Sequence, residues 1–146
     1  MTILIINGPN LNLLGTREPS IYGHQTYQEL ETILKRHATS IGATIDIHQT
    51  NFEGIMIDLM HHAASKPYHG IIINAAALSH YSYAIYDAIK AIQIPVVNVH
   101  LTDPSNREEP FRHKDVIASA CLKTFKGKGI QSYVEAMTFL HEEVNI

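Results

Sequence analysis

Tryptophan is absent from this 146-residue chain, and cysteine occurs once, at Cys121. A single thiol cannot form an internal disulfide, and no cysteine pair or Cys/His spacing resembles a zinc site. The apolar runs are strand-length, so no segment reads as a membrane span. The opening Met1-Thr2-Ile3-Leu4 has neither a basic n-region nor a small-residue cleavage site, so no secretory signal is expected. With the lone cysteine, this points to a reducing cytoplasm. A basic stripe is missing too. Lys plus Arg number 11 against 14 Asp plus Glu, a formal net charge of −3, which argues against nucleic acid as a partner. Gly8 lacks the companions of a Walker or dinucleotide-binding loop. Ten histidines are many, but only His61-His62 are adjacent. Neighbours on a helix point in different directions, so that pair is a poor chelate.

What is present is the composition of one globular domain, residues 1–146, with 45% hydrophobic and 17% charged residues. Four apolar runs read as buried parallel strands: Ile3–Ile6, Thr44–His48, Gly70–Ile73 and Pro95–Val99. Helical periodicity fills the gaps. Thr26-Tyr27-Gln28-Glu29 is a capping box, with Leu30, Ile33, Leu34, His37 and Ile41 on one face and Gly42 as the stop. A second helix fits Glu53–Ala64 with Ile55, Leu59 and Ala63 inward. A third fits Ser82–Ala91 with Ile85, Ala88 and Ile92 inward. The last spans Ile130–Glu143, with Val134, Met137 and Leu140–His141 at helical spacing. Ile117–Phe125 fits a fifth strand better than a helix. This β-α alternation predicts an α/β fold, a parallel sheet with right-handed crossovers and helices on both faces.

In such a sheet, ligands bind at the carboxyl ends of the strands, and three strand ends carry polar clusters. The first strand opens onto a long segment bearing Asn7, Asn10, Arg17, Tyr22 and His24. Connectors are normally about 4–6 residues long, so residues 14–24 read as an ordered but movable lid. The third strand leads to Asn74, Ser79 and His80. The fourth leads to His100, Leu101, Thr102 and Asp103, then Arg107 and Arg112. A guanidinium near Tyr22 would favour its phenolate, although a loop-packing role for Tyr22 fits the residues equally well. His100 has acid/base chemistry within reach, though a lone strand-end histidine is more often a packing residue. Arg107 and Arg112 suit a carboxylate or polyol, or else pair with Glu108 and Glu109. Asn74, Ser79 and His80 offer partners for hydroxyl groups, or form an ordinary loop to a Ser82 N-cap. The same architecture can carry flavin, but the first loop lacks a Ser/Thr/Gly cluster for its phosphate. A non-catalytic acid-binding protein, a flavodoxin-like electron carrier and a structural oligomer are the competing readings.

Asn7-Gly8-Pro9-Asn10-Leu11, Arg17-Glu18-Pro19, Tyr22-Gly23, Asn74-Ala75, Leu78-Ser79-His80, Val99-His100-Leu101, Arg107-Glu108-Glu109 and Phe111-Arg112-His113 together resemble type II 3-dehydroquinate dehydratase. The match runs in order from the first strand to the final helix. The resemblance implies a flavodoxin-like, doubly wound five-stranded sheet and dehydration of 3-dehydroquinate to 3-dehydroshikimate, with neither cofactor nor metal. It implies Tyr22 as the base at C2, Arg17 favouring its phenolate, and His100 as the acid at the C1 hydroxyl. Asn10 would hold a water against the enolate. Leu101 and Thr102 would receive the carboxylate, while Asn74, His80 and Arg112 would grip the ring hydroxyls and Arg107 would help close the site. Asp87 would reach a neighbouring subunit's site in a homo-oligomer, a dodecamer built from trimers. The reaction serves either aromatic biosynthesis or quinate breakdown.

Four positions depart from that pattern. Asn98 stands where the family usually has Glu, which predicts a His100 less able to accept a proton. Thr102-Asp103 replaces Ser-Asn and adds a negative charge near a carboxylate site. Pro110 is an insertion that leaves the placement of Arg112 open by one residue. Tyr86 replaces a common Arg just before Asp87.

Overall fold

The structure, a computed structural model, describes residues 1–144. Five strands, β1 (Thr2–Asn7), β2 (Thr44–Gln49), β3 (Gly70–Asn74), β4 (Val96–His100) and β5 (Thr124–Lys126), form one parallel sheet in the order β2-β1-β3-β4-β5. The helices are α1 (Pro19–Tyr22), α2 (Tyr27–Ser40), α3 (Glu53–Ala64), α4 (Tyr83–Ala91) and α5 (Ile130–Val144). The chain winds outward in both directions from β1 and β3, and that reversal places the crevice for a ligand at their carboxyl ends.

Strand alternation splits the apolar core in two. Ile3, Ile5, Ile72, Val97 and Val99 face α2 and α5, whereas Leu4, Ile6, Ile71, Ile73 and Val96 face α3 and α4. The expected capping box is present: the Thr26 hydroxyl accepts from Glu29 N–H at 3.1 Å, and the Glu29 carboxylate accepts from Thr26 N–H at 3.2 Å. Gly42 follows α2 at φ +71°, a conformation that glycine adopts without a Cβ penalty. Ser82 caps α4 through Ile85 N–H at 3.0 Å.

Several elements differ from the expectations. β2 is an edge strand whose residues alternate between exposed and half-buried, rather than a buried one. In α3 the inward stripe is Met56, Met60 and Ala63, while Ile55 is 46% exposed. With apolar residues at most positions from 55 to 60, periodicity defines no unique face, and packing against α4 and the sheet chooses it. α4 buries Ile89 beside Ile85 and Ala88, while Ile92 lies past its end, half-buried. α5 buries Tyr133 and Ala136 with Met137 and Leu140, and Val134 is only partly covered. The fifth strand shrinks to three residues, Thr124–Lys126. Ahead of it, the Asp115 carboxylate accepts from the N–H groups of Ile117 and Ala118 at 3.2 Å each, and residues 118–120 form a tight 3₁₀ turn. Those N–H groups are thereby withdrawn from a strand ladder.

Candidate active site

The loops after β1 and β3 are pinched together. Gly8 N–H donates to Asn74 O at 2.8 Å, and a Cβ on Gly8 would lie 2.8 Å from Ala75 O, which only glycine avoids. Beneath the pinch lies a buried polar network. Tyr133 Oη donates to Asn7 Oδ1 at 2.6 Å and accepts from Asn74 Nδ2 at 2.8 Å, and Asn7 Nδ2 reaches Tyr27 Oη at 3.3 Å. Burial pushes the Tyr133 phenol far above its ordinary range, against a smaller lowering from Asn74, so it stays a neutral structural donor. Asn7, named above as a candidate, therefore serves the fold. So does Ser79, whose hydroxyl is turned onto Ala76 O at 2.7 Å. Asn74 Oδ1 accepts from Ala76 N–H at 3.1 Å, and Ala76 sits at φ +52°, a left-handed strain placed at the cavity wall. Tyr133 was missed by the sequence reading. Its helical spacing marks it as core, and nothing local shows that its hydroxyl meets two strand-end asparagines.

Above the network a cavity of about 50 Å³ is lined by Arg17, Tyr22, Asn74, His80, His100, Leu101, Thr102, Arg107 and Arg112, together with Leu11, Ala76, Ala77 and Pro104. Three separate loops thus converge on one space. Tyr22 ends the single-turn helix α1, which begins at Pro19 and is followed by Gly23 at φ +82°. The expected long loop thus contains this α-helical turn and a 3₁₀ turn at Leu11–Leu13.

The charge beside Tyr22 is arranged differently from the expectation. Arg107 Nη1 donates to Tyr22 Oη at 3.0 Å, whereas the Arg17 guanidinium stacks over the ring face, 4.7 Å from its centroid. Burial works against the charged Arg107, but the Tyr22 contact, with Glu109 and Glu18, outweighs it and holds the guanidinium above its ordinary value. Glu109 lies 3.8 Å from Arg107 and 3.4 Å from Arg112. Its own N–H, then Arg112 and Arg107, hold its carboxyl below the ordinary range. Arg112 Nε is buried without a hydrogen bond, since its approach to Glu109 is not aligned as one. Pro110 opens the 3₁₀ turn Pro110–His113, and that turn delivers Arg112 to the cavity.

His100 and Asn98 are two residues apart on β4 and project from the same face. Over that face lies Asp115. His100 Nε2 meets Asp115 Oδ2 at 2.8 Å, and Asn98 Nδ2 donates to the same oxygen at 2.8 Å. Asn98 was expected to make His100 less able to accept a proton; the structure sets a carboxylate from a different segment against the ring. Burial raises the Asp115 carboxyl, but the hydrogen bond and charge of His100, with Asn98 and Ile117 N–H, bring it below the ordinary value. Asp103 is likewise neutralised. It accepts from Ser105 N–H and Oγ at 3.0 and 2.6 Å, pairs with Lys126 at 3.5 Å, and does not line the cavity.

His80 is fixed by its Nδ1–H, which donates to Lys114 O at 2.8 Å. Asn10, His24 and Asp87 are exposed and do not line the cavity. Asn10 is held at φ +69° in a turn, with its N–H on Asn51 Oδ1 at 3.0 Å. Asp87 lies on α4, next to the half-buried Tyr86.

A family model described as dehydroquinase class II matches residues 1–141. The chain belongs to that family. It is 49% identical over 140 residues to a 3-dehydroquinate dehydratase of Caldicellulosiruptor bescii, covering 96% of both chains. It is 46% identical over 144 residues to one of Clostridium perfringens, covering 99% of this chain and 98% of the other. The crystal structure of type II dehydroquinase from Butyrivibrio crossotus superposes with a TM-score of 0.94 at 39% identity, covering 96% of this chain and 97% of that one. The fold is accordingly the flavodoxin-like one, and membership makes this chain a lyase that dehydrates 3-dehydroquinate to 3-dehydroshikimate.

Proposed function

We propose that the dehydration runs through an enolate, with Tyr22 as base and His100 as acid. The observation that carries this reading is the Arg107–Tyr22 hydrogen bond inside the cavity that His100 also lines. Positive charge at a phenol oxygen stabilises the negative charge that forms there, which is what a tyrosine needs to remove the proton beside a ketone. The Arg17 guanidinium over the ring adds to it. Charge developing on the ketone oxygen then collapses to expel the C1 hydroxyl, protonated by His100. Asn10, adjacent in the chain to the cavity-lining Leu11, would reach the enolate through water.

Thr102 and the Leu101 backbone would receive the carboxylate, and His80 Nε2 would meet a ring hydroxyl. Arg112, with its unpartnered Nε, and Asn74 complete the polar lining. Typical ligand pockets measure roughly 300–1,000 Å³. This cavity is far smaller, so a wall moves when substrate enters. The wall best able to do so is residues 15–24: none of them is fully buried, and Gly15 and Gly23, at φ +91° and +82°, flank α1. No helix among the described residues is long and apolar enough to cross a membrane. A cytoplasmic homo-oligomer, the dodecamer of trimers noted above with Asp87 at a subunit contact, is part of the same proposal.

The test is an ultraviolet assay for the conjugated enone product from 3-dehydroquinate, with Tyr22→Phe as control. Product from the parent and none from Tyr22→Phe is the expected result. A silent parent that 3-dehydroquinate nonetheless protects against thermal unfolding would overturn it in favour of a binding protein.

A further inference from the structure

The His100 contact with Asp115 bears on the reaction directly. A histidine that must hand over a proton has to present one particular ring nitrogen, and the partner on the other nitrogen decides which. His100 is 6% exposed, so its ring has little water to orient it. Asp115 Oδ2 stands 2.8 Å from Nε2, and an ionised carboxylate only accepts, so Nε2 carries a proton in both charge states of the ring. Asp115 is itself fixed. Oδ1 takes the N–H groups of Ile117 and Ala118, and Oδ2 takes Asn98 Nδ2 as well as His100. Asn98 in turn donates to Thr124 Oγ1 at 3.3 Å, while its own Oδ1 is buried with no partner.

We propose that Asp115 is a positioning residue for His100, holding the imidazole with Nε2 protonated so that Nδ1 faces the reacting hydroxyl, with Asn98 orienting the carboxylate. The inference rests on the assignment of His100 as the acid. In the step it supports, the imidazolium gives its Nδ1 proton to the C1 oxygen. The C–O bond breaks, water leaves, and the enolate electron pair becomes the new C=C bond. The ring ends neutral with Nε2–H still on Asp115. The proton taken from C2 by Tyr22 resets the ring through solvent, so the cycle releases only water.

Among the described residues, the charged and titratable groups that line the cavity with His100 are Arg17, Tyr22, His80, Arg107 and Arg112, and Cys121 lies near Asp115 with its thiol pushed up to about 12 by burial and, less, by that carboxylate. Lys126 pairs with His100 in the strand register but turns its ammonium to Asp103. Among the described residues, Asp115 is the one carboxylate in hydrogen-bond contact with the ring.

Asp115→Asn keeps Oδ1 for the two N–H groups, removes the charge, and puts an amide NH2 donor where Oδ2 accepted from His100 Nε2 and Asn98 Nδ2. Nitrogen NMR of the substrate-free protein should show the neutral His100 proton leaving Nε2 for Nδ1. With 3-dehydroquinate, kcat should fall about 10- to 100-fold, within the range of general acid catalysis, with a smaller change in KM. The alkaline limb of the kcat profile should move to lower pH. Asp115→Glu, which keeps the charge, should preserve Nε2–H and the limb. An unmoved tautomer and limb in Asp115→Asn, or a limb displaced as far in Asp115→Glu, overturns the proposal. The NMR readout needs no turnover, so it decides the positioning of His100 even if the parent proved inactive and the catalytic assignment fell.

Discussion

Arg107 and Tyr22 lie 85 positions apart in the chain, yet Arg107 Nη1 donates to Tyr22 Oη at 3.0 Å. Hydrogen bonds to charged groups contribute about 1.5–3 kcal/mol, which corresponds to roughly 10- to 100-fold in rate when felt only in the transition state. Arg107→Ala should lower kcat/KM by about that factor, and Arg107→Lys by less. Steady-state kinetics at fixed pH check this. Equal activity in all three proteins would mean Arg17 alone supplies the positive charge.

Asn98→Glu should harm the enzyme. Its carboxylate would enter a buried site where Asp115 Oδ2 already meets His100 and Asn98 within 2.8 Å. Two carboxylates sharing one site cannot both ionise without cost. Thermal melting and kcat should both fall, and the double variant with Asp115→Asn should recover part of each. A gain in kcat from Asn98→Glu alone would show that Asp115 does not serve His100.

The lowered Asp115 carboxyl has a consequence for acid stability. A group whose folded value lies below its unfolded one stabilises the fold above the unfolded value, about 3.9 for Asp. That contribution disappears as pH falls through the folded value. Melting temperatures from pH 7 down to pH 3 should therefore drop less steeply in Asp115→Asn than in the parent, which starts higher. Parallel curves would count against it.

Gly8→Ala should destabilise the fold by about 1–3 kcal/mol, because its methyl group would meet the backbone at Ala75 O and C, 2.8 and 2.9 Å away, rather than a side chain that can step aside. Since the same contact holds the β1 and β3 loops together, activity should fall below what the loss of stability alone explains. Urea unfolding and kcat measured on the same preparation separate the two effects.

Much of the architecture was legible because it is local. The Thr26/Glu29 capping box, the Ser82 cap and the four apolar strands each depend on residues a few positions apart, whose spacing states which hydrogen bonds can close. The inward face of α3 was not legible, because Ile55, Met56, Ile57, Leu59 and Met60 offer more than one apolar stripe. The fifth strand expected over Ile117–Phe125 is present but begins only at Thr124, because Asp115 captures the N–H groups of Ile117 and Ala118 that a longer strand would have used.

The sequence alone therefore determined that this is a doubly wound α/β domain, and that Tyr22, His100 and the cationic loop residues fall at one edge of its sheet. Strand direction and connection length impose that edge whatever the details of packing. Only the tertiary structure decided which groups touch. It put Arg107 rather than Arg17 on the Tyr22 oxygen, and Asp115 rather than residue 98 beside His100. It also drew Asn7 and Asn74 into a network with Tyr133. Such contacts join segments far apart in the chain across a few ångströms, and no periodicity or local propensity encodes a distance between loops that meet only when the core has packed.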